Sequence, residues 1–318
     1  MESNPVRFDG RVALVTGAGG GMGRAYALEL ARRGAAIVVN DYGGTMMGVP
    51  GDVTRAQSVV DDIRAAGGQA VANGDAVGDE QAAAGMVALA LEHFGRLDIL
   101  INNAGIAAPG PITQTSAQRL ATVYATNLIG PHLLMRSAWP VMAEQRYGRI
   151  LNISSNAALG IGGNSPYAAT KAGMIGLSLD AALEGSGHGI LVNALMPCAY
   201  SRMIEAVPDP EFVAWMRDNF QAEKVVAAAL YLLSEQSDVT GMVFSAGAGR
   251  IARLGFVEND GIIAHAIDPE QVRTSIEQVV DLADARPVRS QGDEMALYTA
   301  AADFGRESGP GLARDALT

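Results

Sequence analysis

The chain alternates between short runs of apolar, often β-branched residues and longer stretches where apolar positions recur every three or four residues. The runs stand at 12–16 (VALVT), 36–40 (AIVVN), 69–73 (QAVAN), 98–102 (DILIN), 149–154 (RILNIS), 190–196 (ILVNALM) and 242–247 (MVFSAG). They are too continuous to leave one face in water, so they predict strands covered on both sides. Stretches such as 25–33 (AYALELARR) and 82–94 (AAAGMVALALEHF) predict amphipathic helices between them. Strand and helix in regular alternation imply βαβ units around a parallel sheet. The expected fold is α/β, a doubly wound sheet of about seven strands. No composition break divides residues 6–250. Residues 1–254 therefore read as one domain with both cofactor and substrate sites, and 255–318 as a C-terminal extension. Within the extension, 268–283 predicts an added helix and 305–318 a weakly ordered tail.

Composition narrows the function. A net charge of −11, from 23 Lys and Arg against 34 Asp and Glu, argues against a nucleic-acid-binding surface. The apolar runs are short and broken, so no membrane span is expected. The start, MESNPVRFDG, lacks the basic-then-apolar pattern of a secretory signal. Cys198 is the single cysteine, which forbids an intrachain disulfide and fits a reducing compartment. The expected location is cytoplasmic. The four histidines, His93, His132, His188 and His265, do not cluster, and no metal is expected.

The first strand–helix junction reads VALVTGAGGGMGRAYALELA, with Gly17, Gly21 and Gly23 spaced G-x-x-x-G-x-G around Met22. Glycines there allow a tight turn and let backbone N–H groups approach a pyrophosphate at the helix N-terminus. A glycine turn with no ligand is the plainer reading, but it accounts poorly for this position between a strand and a helix. A Rossmann-type dinucleotide site is therefore expected. Asp41, after the second strand, can accept hydrogen bonds from both adenosine ribose hydroxyls and would repel a 2′-phosphate. The glycine loop has no Arg or Lys before Arg24, so the expected cofactor is NAD.

In SPYAATKAG (165–173), Tyr167 and Lys171 fall one helical turn apart, on one face of a helix. A half-buried tyrosine beside a solvated lysine would explain the pair taken alone. In chain order, however, TGAGGGMG, NNAG (102–105), TNLIG (126–130) and NISS (152–155) precede it. Together these resemble the short-chain dehydrogenase/reductase family over roughly residues 8–250. The resemblance implies hydride transfer between a nicotinamide and a carbonyl or secondary alcohol. By the same likeness Tyr167 is the acid/base and Ser155 holds the substrate oxygen. Lys171 lowers the tyrosine pKa and binds the nicotinamide ribose, and Asn127 supports a water that links Lys171 to solvent. Asn103, Ala104 and Gly105 would flank the cofactor. Asp75 and Ala76 would meet the adenine, with Pro197 and Ala199 near the nicotinamide.

Counting thirteen residues back from Tyr167 lands on Ser154, whereas alignment on the strand GRILNISS selects Ser155. A one-residue slip turns a strand side chain to the other face, so strand alignment decides for Ser155. A narrower likeness, carried by VRFDGRVALVTGAGGGMGRAYALELARRGA, MPCAYSRM and SAGAGRIARL, is to the (3R)-hydroxyacyl-CoA dehydrogenase part of type 2 peroxisomal multifunctional enzymes. It implies an acyl-CoA substrate. Asn127 stands where those enzymes are expected to carry histidine, and the chain ends in ALT instead of a peroxisomal tripeptide. Met46, Met47, Met196, Met203 and Met216 can line an acyl channel or fill the core. The same machinery would also serve a free hydroxysteroid, a terpenoid or another secondary alcohol, and a non-catalytic NAD-binding sensor is a third reading. Family likeness also implies a homodimer through helices at about 116–144 and 166–184. The extension is expected to obstruct the second contact used by tetrameric relatives.

Overall fold

The computed structural model describes residues 5–45, 48–49, 51, 54–200, 205, 207–263 and 267–301. Met46, Met47, Met203 and the tail at 305–318 lie outside the described residues. Two compact units divide at Arg253 and Leu254.

The first unit is built on an eight-stranded sheet in the order β3-β2-β1-β4-β5-β6-β7-β8. Its strands are β1 (Val12–Thr16), β2 (Ala36–Asn40), β3 (Gln69–Asn73), β4 (Ile99–Asn102), β5 (Gly148–Ile153), β6 (Ile190–Cys198), β7 (Val243–Gly247) and β8 (Arg250–Leu254). Strands β1 to β7 are parallel, with Val12 opposite Ala36 and Leu14 opposite Leu100. The chain winds outward from β1 to β3, then returns to place β4 beside β1. At that reversal the loops after the two strands leave on opposite faces, opening a crevice at their carboxyl ends.

Side-chain alternation along each strand feeds two apolar layers. Ala13 and Val15 face Tyr26, Leu30, Val60 and Leu233 from α1 (Gly21–Arg32), α2 (Thr54–Ala65) and α8 (Glu223–Leu233). Val12 and Leu14 face Met86, Leu134 and Ala181 from α3 (Glu80–Phe94), α5 (Gly130–Gln145) and α6 (Ser165–Gly185). A seventh helix, α7 (Pro210–Asn219), follows β6.

The doubly wound α/β sheet is as expected, and three details differ from expectation. The sheet gains an eighth strand, β8, which folds back on β7 through Ala248 and Gly249, both at positive φ (50° and 80°). A two-residue turn with positive φ at both positions suits a hairpin. Its sequence RIARL hid it, because exposed Arg250 and Arg253 break the apolar run. The helix expected at 116–144 is α4 (Ala117–Tyr124) joined to α5 by a π-helical turn, Ala125–Ile129. Pro131 supplies the reason: it has no N–H to offer the Asn127 carbonyl, and the Gly130 N–H reaches back to Ala125 instead. The helix expected at 268–283 is two short ones, α9 (Pro269–Thr274) and α10 (Ile276–Val280). Asp268 and Gln271 form a capping box at the first, and Ser275 leaves helical geometry between them.

The second unit also holds β9 (Phe256–Glu258), antiparallel to β10 (Arg286–Val288), and α11 (Gln291–Ala301). Among the described residues no helix is long and apolar enough to cross a membrane, and no three His, Cys, Asp or Glu side chains converge as metal ligands.

Candidate active site

The crevice is a cavity of about 710 Å³. Its lining comes from the turn before α1, the loops after β4, β5 and β6, and one face of α6. Of the expected residues, Gly21, Met22, Asn103, Gly105, Ser155, Tyr167, Lys171, Pro197 and Ala199 line it directly. Gly17 and Gly23 do not; they hold α1 against the sheet. A Cβ on Gly23 would stand 2.2 Å from the Gly17 carbonyl oxygen, closer than any real contact. Gly17 sits at φ 61°, which favours glycine.

Thr16, which the sequence pattern did not single out, organises the turn. Its hydroxyl accepts the N–H groups of Asn103 (2.9 Å) and Ala104 (3.0 Å). The Asn103 amide donates back to the carbonyls of Thr16 (2.8 Å) and Gly17 (3.2 Å). The ends of β1 and β4 are thereby tied across the crevice. Position was the available signal: a hydroxyl residue as the last strand residue before the glycine turn.

The residues present fit a dinucleotide. Helix α1 begins with no side-chain cap and no acid in its first turn, so its leading N–H groups are free for an anion. Gly20 has open space where a side chain would project. The Asp41 carboxylate accepts the N–H groups of Gly19 (2.8 Å) and Gly43 (2.7 Å). Asp75 and Ala76 are exposed beyond β3 and outside the cavity lining. The Asn40 amide still ties the Asp75 carbonyl (2.9 Å) to the end of β2.

At the other end, Tyr167 and Lys171 rise from α6 opposite the end of β5. Lys171 is 3% exposed and donates to the Ile153 carbonyl at 2.6 Å. Burial lowers its pKa to about 8. Its Nζ lies 5.7 Å from the Tyr167 ring centre. Burial raises the Tyr167 pKa, and a hydrogen bond with Ser155 works in the lowering direction. Ser155 also accepts the Ala157 N–H at 3.1 Å, which starts a 3₁₀ turn. The neighbouring serine is committed elsewhere: buried Ser154 donates to the Lys171 carbonyl at 2.7 Å.

Asn127 sits in the π turn, fully buried, outside the cavity lining. Its side chain closes a pair of hydrogen bonds with the Ile106 backbone, both 2.9 Å, and reaches the Thr170 hydroxyl at 3.2 Å. Those bonds occupy both amide hydrogens. What it can still offer a water is the backbone carbonyl that Pro131 leaves without an α-helical donor. Asn164, also unanticipated, accepts the Ala108 N–H at 3.1 Å and pins the same loop. Met216 lines the cavity, whereas Met196 is buried in β6, so the two methionines part company. Cys198 lines it too, and burial keeps it a thiol by raising its pKa.

A glycine-turn nucleotide crevice with a tyrosine, lysine and serine at its far end defines a dehydrogenase of the doubly wound class. The family model for short chain dehydrogenases matches residues 11–208, and the chain belongs to that family. Membership makes it an oxidoreductase that binds a nicotinamide cofactor. The chain is 40% identical over 288 residues to peroxisomal multifunctional enzyme type 2 of Mus musculus, covering 89% of this chain and 38% of that protein. It thus spans about a third of the length of the first curated relatives it matches. A relative of matching length is the (2S)-[(R)-hydroxy(phenyl)methyl]succinyl-CoA dehydrogenase subunit BbsD of Thauera aromatica. That subunit is 33% identical, with 76% of this chain and 96% of that one covered. Among solved structures, 7α-hydroxysteroid dehydrogenase complexed with NADH superimposes with a TM-score of 0.69 at 30% identity. The match covers 76% of this chain and 95% of that one.

Proposed function

We propose that the protein is an NAD-dependent dehydrogenase that interconverts the secondary alcohol of a 3-hydroxyacyl-CoA and the corresponding ketone. The observation that carries the chemistry is the Ser155–Tyr167–Lys171 group lining one cavity with the uncapped start of α1. When bound, the nicotinamide accepts or returns the hydride; the proton is the protein's task. Tyr167 takes the alcohol proton at its phenolic oxygen, and the Ser155 hydroxyl holds the substrate oxygen beside it. The Lys171 ammonium favours the phenolate by charge. The Asn127 carbonyl supports a water that returns the proton to solvent. Asp41, at the adenosine end, favours NAD by accepting the ribose hydroxyls.

Two named relatives support an acyl-CoA. The BbsD subunit is by name a dehydrogenase of a hydroxyacyl-CoA thioester, and the multifunctional-enzyme likeness extends over most of the chain. The cavity lining includes the apolar side chains of Ala157, Ile161 and Met216, which suit an acyl chain. The steroid dehydrogenase structure favours a free hydroxysteroid as the second reading. Turnover of NAD with 3-hydroxyacyl-CoA thioesters, set against free hydroxysteroids, tests the assignment. Activity confined to the free alcohols would reject it.

The working form we propose is a homodimer through α4–α5 and α6, where Leu120, Ile129 and Leu183 are exposed. Light scattering at several concentrations reads the mass, and a tetramer or monomer would count against it. A reducing, cytoplasmic setting suits the single thiol.

A further inference from the structure

We propose that Thr170 is a positioning residue, holding the π turn in register with α6 so that the proton can pass from Tyr167 toward Asn127. The proposal rests on the proton path given above and concerns a side chain outside the cavity lining. Thr170 is fully buried, three residues after Tyr167 and immediately before Lys171. Its hydroxyl donates to the Tyr167 carbonyl at 2.9 Å. That bond alone would satisfy a threonine inside a helix. The same oxygen also accepts the Asn127 side-chain N–H at 3.2 Å, and so reaches a second element.

Two elements share the task of moving the proton. Helix α6 carries the phenol and the ammonium, while the π turn, Ala125–Ile129, carries the Asn127 carbonyl. Both flank Gly105, where a Cβ would stand 3.5 Å from Lys171 Nζ and 3.6 Å from Asn127 Oδ1. An apolar contact also joins them: a Cβ on Gly173 of α6 would lie 3.0 Å from Leu128 Cδ2. Apolar packing is non-directional and leaves rotation loose. Among the described residues the Asn127–Thr170 bond is the one side-chain hydrogen bond between the π turn and α6. Hydrogen bonds weaken steeply with angle, so this one fixes the rotation. The Ile106 bonds hold Asn127 to the loop after β4, and Thr170 holds it to the reacting helix.

The test compares Thr170→Val, which keeps the shape and removes the hydroxyl, with Thr170→Ser, which keeps the hydroxyl. Each is assayed with NAD and an alcohol that the unmutated protein oxidises, in H2O and in D2O, beside Tyr167→Phe as reference. In Thr170→Val kcat should fall about tenfold or more, because a small misalignment of reacting groups is costly. KM and calorimetric ADP affinity should stay within about twofold, since ground-state binding is untouched. The solvent isotope effect on kcat should rise as proton transfer becomes the slow step. The inflection of kcat/KM at about pH 8 should hold, because Lys171 keeps its bond to Ile153. Thr170→Ser should recover most of the lost kcat. Unchanged kcat and isotope effect in Thr170→Val, even with lower stability in urea, would make Thr170 a packing residue and overturn the proposal. A parallel loss of ADP affinity would overturn it too, as would a Thr170→Ser variant as slow as Thr170→Val. Should Thr170→Val fail to fold, Thr170→Cys, whose thiol is a weak donor and acceptor, takes its place with the same outcomes. Turnover retained in Tyr167→Phe, or no alcohol oxidised by the unmutated protein, would defeat the proton path itself and this proposal with it.

Discussion

The two ends of the crevice are built on different principles. At the nucleotide end the working surface is backbone, and side chains are spent on holding that backbone in place. Thr16, Asn103 and Asp41 have their groups engaged with N–H and C=O groups of the glycine turn and its neighbours. At the reaction end the working groups are side chains with capacity to spare. The Tyr167 phenol has Ser155 as its described partner, and the Lys171 ammonium, with three donors, uses one on Ile153. One end is hard to alter without deforming the fold, while the other can lose its chemistry and keep its shape.

The largest test of that contrast is Tyr167→Phe. Removing the oxygen should lower kcat by about 10³-fold, within the range of general acid–base catalysis, and leave ADP affinity within about twofold. Steady-state kinetics and calorimetry read the two quantities separately. A matching fall in nucleotide affinity would erase the distinction between the ends.

At the opposite end, Gly23→Ala should act through structure. The added methyl would meet the Gly17 carbonyl oxygen at 2.2 Å, with the Asn103 amide nitrogen at 2.6 Å, so turn and helix must separate. We expect a loss of about 3 kcal/mol in urea unfolding together with nucleotide binding. Full stability in this variant would mean that the turn is softer than its contacts imply.

The pH profile probes the reaction end more finely. Burial lowers the Lys171 pKa to about 8 and raises that of Tyr167, so the first proton leaves the pair near pH 8. Wherever the remaining proton resides, this singly protonated pair contains the ammonium–phenolate form required for oxidation. The value of kcat/KM for alcohol oxidation should therefore rise about tenfold per pH unit below about 8 and level off above it. In Lys171→Met the rise should move to the tyrosine's own raised pKa. An inflection unmoved by that substitution would assign it to another group.

How much of this was legible in the sequence follows the same division. The parallel strands announced themselves because burial on both faces demands continuous apolar runs. The glycine turn and the Tyr167–Lys171 spacing were visible because they are local. What local pattern could not give was anything fixed by contact across the sheet. Thr16 gains its importance from Asn103 and Ala104, 87 and 88 residues on. The π turn depended on reading Pro131 as a missing donor, and β8 was masked by the exposed arginines of an edge strand.

The smallest expected effect separates the adjacent serines. Ser154 is 2% exposed and its hydroxyl donates to the Lys171 carbonyl at 2.7 Å, joining β5 to α6 behind the reacting groups. The Ser155 hydroxyl stands beside Tyr167 and has its chain-fixing bond to Ala157 on the acceptor side. Ser154→Ala removes a neutral hydrogen bond and leaves a buried carbonyl short of a donor, which should reduce stability by about 1 kcal/mol. Since Lys171 keeps its own bond to Ile153, kcat should fall by no more than about threefold, because the lysine stays aimed. Ser155→Ala should show the reverse: nearly unchanged unfolding, but kcat lower by about 10²-fold through loss of a donor to the substrate oxygen. Urea unfolding and kinetics on the two variants decide the matter. If Ser154→Ala were the one to lose turnover, the substrate oxygen would have to sit on the α6 side of β5, and Ser155 would be left as the turn residue that its bond to Ala157 already makes it.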